Sequence, residues 1–153
     1  MNELVLPNDT NPLGNLMGGR LLHLMDICGA IAAQRHSNRT VVTASVDHVD
    51  FASAIALGEV VVLEAQGNRA FTSSMETEIS VWAENTGTGE RRLSNRAFYT
   101  CVAVDQSGRP IPVPPVLPET DDDHERYVAA ARRRELRLIL SGRLHLSEAA
   151  HLR

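Results

Sequence analysis

Apolar positions change their period near residue 40. From about 18 to 35, Leu21, Leu22, Leu24, Met25, Ile27, Cys28, Ala30, Ile31, Ala32 and Ala33 occupy nearly every face of a helical wheel. A helix of that kind is enclosed by other structure. From residue 40 the period becomes two, and four strands are predicted at about 40–51, 59–67, 72–84 and 92–105. The third alternates most cleanly, with Met75, Thr77, Ile79 and Val81 set between Glu76, Glu78, Ser80 and Trp82. In the first, Val42, Ala44 and Val46 share one phase and Val49 and Phe51 the other, which predicts a bulge near Asp47-His48. Turn signals at Leu57-Gly58, Gly67-Asn68 and 85–89 make the connections short and the strands antiparallel. Residues 3–6 give a short first strand that Pro7 ends.

After Gly108, the stretch RPIPVPPVLP is extended. A second helix follows at about 120–140. Asp121, Asp122 and Asp123 open it and Arg132, Arg133, Arg134 and Arg137 lie in its later turns, an order that suits the helix dipole. It reads as a solvated tail helix, with an interaction surface as the alternative. Residues 141–153 carry no pattern that assigns them.

The enclosed helix carries one carboxylate, Asp26. A carboxylate there is costly unless it is paired or does chemistry. Asp26 shares a stripe with Gly19, Leu22, Gly29, Ala30 and Ala33, mostly small residues, so something packs closely against it. A second copy of the same helix across a two-fold interface is one candidate. Gly18 and Gly19 stand at the helix start, where they admit another backbone. His23 lies one turn before Asp26 and reads as a helix histidine at a subunit or solvent boundary, with a contact to Asp26 as the alternative.

Composition narrows the chemistry. The 153 residues suit one core, with 43% apolar and 22% charged residues. A net charge of −4 gives no sign of a nucleic-acid partner. The two cysteines, Cys28 and Cys101, lie in apolar surroundings and read as core residues in a reducing compartment. No apolar run reaches the roughly 20 residues of a membrane span, and no signal peptide is evident, so the expected location is the cytoplasm. All 15 basic residues are arginines, which excludes a lysine Schiff base and a lysine phosphate loop. The six histidines lack ligand spacing, so no metal site is expected. No Gly-x-Ser-x-Gly elbow occurs.

The stretch PNDTNPLGNLMGGRLLHLMDICGAIAA resembles the signature of the hotdog-fold acyl-CoA thioesterases, in the branch of the bacterial broad-range and brain-type enzymes. VVTASVDHVDF, IALGEVV, TSSMETEISVWAE and AFYTCVAVDQSGRPIPVP extend the likeness, in order, over about residues 4–116. The resemblance implies an α+β fold, an antiparallel sheet of about five strands wrapped around a long central helix. It divides the chain into a thioesterase domain at 1–118 and a C-terminal helical tail at 119–153. It implies hydrolysis of acyl-CoA to coenzyme A and a free acid, with no cofactor beyond the coenzyme A of the substrate. It also implies dimers whose sheets join, assembled as trimers of dimers.

Carried over residue by residue, the family's catalytic acid falls on Asp26 and its loop asparagine on Asn11. Gly18 and Gly19 offer amides to an oxyanion at the helix N-terminus. The resemblance places the CoA nucleotide near the hairpin and proline-rich segments, which makes Arg69, Thr72, Ser73 and Ser74 candidate contacts. A proline common after the Val-Asp-Phe strand is Ala54 here. Asp26 lies seven residues beyond Gly19, or about 10 Å along a helix. One carbonyl does not span that distance, so a composite site is expected, with Asp26 from one subunit and Asn11, Gly18 and Gly19 from another. A non-catalytic acyl-CoA sensor and a hotdog dehydratase or hydratase remain the alternatives.

Overall fold

The computed structural model describes residues 1–152. In chain order it contains β1 (Asn2–Leu4), helix α1 (Gly18–Ser37), β2 (Thr40–Val46), β3 (Val60–Ala70), β4 (Ser74–Glu84), β5 (Arg91–Val104) and helix α2 (Asp121–Leu140). The strands form one antiparallel sheet in the order β1-β3-β4-β5-β2. Among the described residues no helix is long and apolar enough to cross a membrane.

Helix α1 lies across the sheet's inner face. Leu21, Leu24, Met25 and Cys28 meet Val61 and Leu63 of β3, Ile79 and Val81 of β4, and Ala97 and Tyr99 of β5 in the main core. The strands' alternation directs one set of side chains inward, as the period of two requires. The helix is less enclosed than its pattern predicts. Within one chain Ile27 and Ile31 each keep 38% of their surface exposed, and His23 is exposed. One member of the small-residue stripe packs within the chain. A Cβ on Gly29 would come within 3.0 Å of Thr77 Oγ1 and 3.1 Å of Ile79 Cδ1, so Gly29 seats α1 on β4, whereas Gly19 has open space above it.

Strand boundaries and bulges differ from the pattern. The Gly67-Asn68 pair is a bulge inside β3, not a turn, and the reversal comes at 71–73. β2 stops at Val46, five residues before its predicted end. Its bulge falls between Thr43 and Ser45, ahead of Asp47-His48. The earlier bulge has a consequence for orientation. Thr43 pairs with Cys101, which faces the core, whereas Ser45 pairs with Thr100, which faces outward.

Helix α2 is docked, not solvated, and lies on the sheet's outer face. Thr120 caps it by accepting from the Asp123 amide. Arg133 grips the fully buried Glu76 with two hydrogen bonds, at 2.9 and 2.7 Å, and its guanidinium lies 3.7 Å from the centre of the Phe98 ring. Arg126 pairs with Glu78 at 3.3 Å and Arg137 with Asp47 at 3.0 Å. The segment after α2 folds back onto it, with His151 bonded through its ring and its amide to Glu135.

Candidate active site around Asp26

The loop before α1 is tied down at both ends. Met17 N–H donates to the Asp9 carbonyl and Leu16 N–H to the Ile55 carbonyl. Arg20 Nε reaches Asp9 Oδ1 at 3.0 Å. Within the loop, Asn11 Oδ1 accepts from the Leu13 and Asn15 amides at 3.0 and 3.1 Å, a turn-forming use of asparagine. Both donors are backbone N–H groups, so the oxygen end of the amide is assigned by its partners. The Nδ2 end bonds to no described residue. It is an unused pair of N–H donors on a turn whose other end is held.

Helix α1 then starts at Gly18 with Met17 as N-cap and no side-chain cap. The first-turn amides therefore lack the side-chain acceptor that usually satisfies one of them. A Cβ on Gly18 would come within 3.2 Å of the ring of Phe51, an exposed side chain that would have to give by a few tenths of an ångström. Gly19 has open space above it.

Asp26 sits two turns further on and is partly exposed. It is therefore a less buried carboxylate in one chain than its helix pattern predicts. Thr43 Oγ1 of β2 donates to its Oδ1 at 2.5 Å. Among the described residues no cation pairs with Asp26, and no hydrogen bond or ion pair links it to His23. Tyr99 and Cys101 lie near enough to feel its charge. Burial pushes the Tyr99 phenol up to about 12, and the charge of Asp26 adds to the shift. Tyr99 is thus a protonated donor, and it bonds to the Leu22 carbonyl at 3.1 Å. Burial likewise raises the Cys101 thiol, against the hydrogen bonds of Thr77 and Thr43. A carboxylate with an oriented oxygen and no ion pair is chemically available.

Within one chain the structure does not join Asn11 to Asp26; each has separate partners. Gly18 lies at the loop end of α1, about two turns before Asp26. Arg69 donates to the Tyr127 carbonyl at 3.2 Å and lies 4.0 Å from the Tyr127 ring centre, so within the chain it helps to hold α2. Thr72 and Ser73 form the β3–β4 turn, and their carbonyls accept from the Val113 and Ala103 amides. Ser74 opens β4 at the mouth of an outer-face cleft. Thr43 is the partner that the pattern alone did not single out. It stands inside VVTASVDHVDF, but its orientation depends on a bulge whose position the apolar phase misplaces.

The family model of the thioesterase superfamily matches residues 13–90, a span that holds the loop, α1, Asp26 and Thr43. The chain belongs to the thioesterase superfamily. Within that superfamily its fold is the hotdog fold. It is 43% identical over 136 residues to the uncharacterized acyl-CoA thioester hydrolase YkhA of Bacillus subtilis, covering 87% of this chain and 79% of that protein. A structure of an apo-hexameric acyl-CoA thioesterase superposes with a TM-score of 0.88 at 42% identity, over 92% of this chain and 90% of that one. The acyl-CoA hydrolase of Staphylococcus aureus, solved with butyryl coenzyme A, coenzyme A and coenzyme A disulfide, gives a TM-score of 0.84 at 36% identity, over 93% and 88%. Variants of that enzyme with an aspartate, an asparagine or a threonine replaced by alanine have also been solved. The human cytosolic acyl coenzyme A thioester hydrolase is 39% identical over 129 residues, but this chain spans only 33% of its length.

Proposed function

We propose that this thioesterase hydrolyses acyl-CoA to coenzyme A and a carboxylic acid, with Asp26 as general base or nucleophile. The observation that carries the reading is the Asp26–Thr43 pair, a carboxylate oriented by a hydroxyl and held by no cation. The Staphylococcus aureus variants support it. Their asparagine and aspartate stand 15 residues apart and their aspartate and threonine 17. Asn11, Asp26 and Thr43 keep both intervals.

A thioester carbonyl needs an attacking oxygen, donors for the oxyanion and a place for the acyl chain. Asp26 removes a proton from water, or attacks directly, while Thr43 fixes the carboxylate's rotation. Asn11 Nδ2 and the Gly18 and Gly19 amides are donors with no competing acceptor, and one such donor is typically worth about 100- to 1000-fold in rate. The reaction consumes water and calls for no cofactor.

Because seven residues of helix separate Gly19 from Asp26, the two halves of the site come from different subunits. β2 is an edge strand, and its Val42 and Val46 are 49% and 44% exposed. Pairing β2 of two chains joins their sheets and brings Asp26 beside the partner's loop. The hexameric state of the relative at 42% identity fits a trimer of such dimers. The two free cysteines and the cytosolic name of the human relative suit a cytoplasmic location.

Thiol release from acyl-CoA substrates of graded chain length tests the reaction; no cleavage of any of them sinks the reading. The composite site has its own test, a mixture of Asp26→Ala and Asn11→Ala chains. Mixed dimers regain one complete site. Failure to recover activity after verified subunit exchange places both residues in a single chain.

A further inference from the structure

Strand β2 ends at one edge of the sheet, and β3 begins beyond β5 and β4, so residues 47–59 cross two strands to join them. This connection belongs to no strand, and part of it pairs with the loop before α1. Leu16 N–H donates to the Ile55 carbonyl at 2.7 Å, Leu57 N–H donates to the Gly14 carbonyl at 2.9 Å, and Asn15 bridges to Ala56. Asn15 also holds Asn11. Its amide donates to Asn11 Oδ1 at 3.1 Å, and its carbonyl accepts from the Asn11 amide at 2.8 Å. Earlier in the connection, the Phe51 ring lies beside Gly18. Asn11 and the start of α1 therefore take their places from residues 51–57.

One side chain of the sheet holds that connection. Arg92 of β5 uses all three of its guanidinium nitrogens on it. Nη1 and Nη2 donate to Glu59 Oε2 and Oε1 at 2.6 and 2.8 Å. Nη2 also donates to the Ala54 carbonyl at 2.7 Å, and Nε to Ser53 Oγ at 3.3 Å. Glu59 Oε1 in turn accepts from the Ala56 amide at 2.8 Å. Ser94 Oγ adds a bond to the Ser53 carbonyl at 2.9 Å. Arg92 is itself fixed opposite Ala83 in the β4–β5 ladder. Its side chain is 46% exposed, a setting in which an ion pair adds little to stability. A planar fork does set direction as well as distance, and here it aims three stretches of backbone at once.

We propose that Arg92, through Glu59 and residues 53–57, is a positioning residue for thioester hydrolysis, setting Asn11 Nδ2 and the first-turn amides of α1 where the oxyanion forms. The proposal rests on the hydrolase reading. Arg92 touches neither Asp26 nor Asn11; it acts through the loop. Donors aimed at an oxyanion act in the transition state, so their displacement lowers kcat and kcat/KM together and leaves KM in place. A displacement of about 1 Å can cost about 100-fold in rate.

The test compares the full wild-type chain with Arg92→Lys and Arg92→Ala, by thiol release from acyl-CoA and by amide hydrogen exchange. Lysine keeps the charge and loses the fork. In both variants the Leu16 and Leu57 amides should exchange faster while Met25 of α1 keeps its wild-type rate. The kcat should fall at least about tenfold, with KM within about twofold. Guanidinium ion, at a concentration that leaves the wild type unaffected, should restore part of the loss in Arg92→Ala. Adding Arg92→Ala to Asn11→Ala should cost less than Arg92→Ala does alone, because the two share one path, whereas its cost on top of Thr43→Val should be undiminished. An active wild type matched by Arg92→Ala in kcat overturns the proposal, as does a loss fully additive with that of Asn11→Ala. A loss that tracks a lowered Tm and that guanidinium does not repair also overturns it, by assigning Arg92 to the fold alone. A wild type that cleaves no acyl-CoA removes the hydrolase reading, and the positioning role with it.

Discussion

Helix α1 meets the inner face of the sheet through Leu21, Leu24, Met25 and Cys28, whereas α2 meets the outer face through Arg126, Arg133 and Arg137. Each is 20 residues long. The inner helix is held by non-directional burial, which leaves its single carboxylate free of structural duty. The outer helix is held by charge pairs, and nearly every acid beneath it has an arginine partner. A carboxylate under α2 is part of the docking; the carboxylate on α1 is not. That contrast separates Asp26 from Glu76, two acids that composition alone treats alike.

The contrast is broken first at Asp26. Asp26→Asn keeps the side chain's shape and its bond to Thr43 but removes the base. Thiol release from acyl-CoA should fall about 100- to 10,000-fold, the usual contribution of a positioned base, with Tm little changed. A fully active variant would place the chemistry elsewhere.

Arg133→Met asks the matching question of α2. It leaves Glu76 fully buried with Asn68 at 2.9 Å and Arg137 at 3.9 Å as its remaining partners. Breaking a buried pair from one side costs about 3 kcal/mol or more, read as a lower urea midpoint. The rate per folded molecule should stay near wild type. Replacing both members, as Glu76→Leu with Arg133→Met, should recover part of the loss, because the unpaired charge is then gone. Equal destabilisation in the single and double variants would show that Arg133 acts through packing on Phe98 instead.

On the inner face, Gly29→Val puts a branched side chain where even a Cβ has 3.0 Å to Thr77 and 3.1 Å to Ile79, both fully buried. Overpacking of this kind typically costs about 1 to 3 kcal/mol. A stable variant that loses its dimer would place Gly29 at a subunit interface.

The same contrast explains what the sequence made legible. α1 was found within two residues of its ends because its apolar run is long and glycines precede it. α2 was found within one residue because three aspartates open it and arginines fill its later turns; in the structure Thr120 and Asp123 add a capping box at its start. Asp26 stood out because it interrupts an apolar helix. The docking of α2 was not readable. Glu76, Glu78 and Phe98 alternate outward on their strands, and outward polar alternation looks the same whether water or an arginine-rich helix covers it. Thr43 was hidden for a related reason. Its facing depends on a one-residue bulge, and Val42, Ala44 and Val46 continue the apparent phase straight through it. The hold of Tyr127 on Arg69 was equally unreadable, since nothing local reveals a partner that far along the chain.

The smallest expected effect lies at the end of the chain, where the same charge logic fastens the tail to α2. The hydrogen bond from His151 holds the Glu135 carboxyl below the usual glutamate range, and further bonds from the His151 and Ala150 amides act in the same direction. A carboxyl depressed in the folded state contributes stability that is complete above its unfolded pKa, about 4.3, and is lost as pH falls through the folded value. Hydrogen exchange of the Ala149 to Leu152 amides should therefore be constant from neutral pH down to about 4.3 and accelerate below it, after correction for intrinsic rates. The amides of α1 near Met25 and Cys28, held by apolar packing, should show no matching step. Glu135→Gln should loosen the tail at neutral pH and abolish the acid step. If wild-type tail and α1 amides accelerate together, acid is unfolding the whole domain and the clasp has no separate existence.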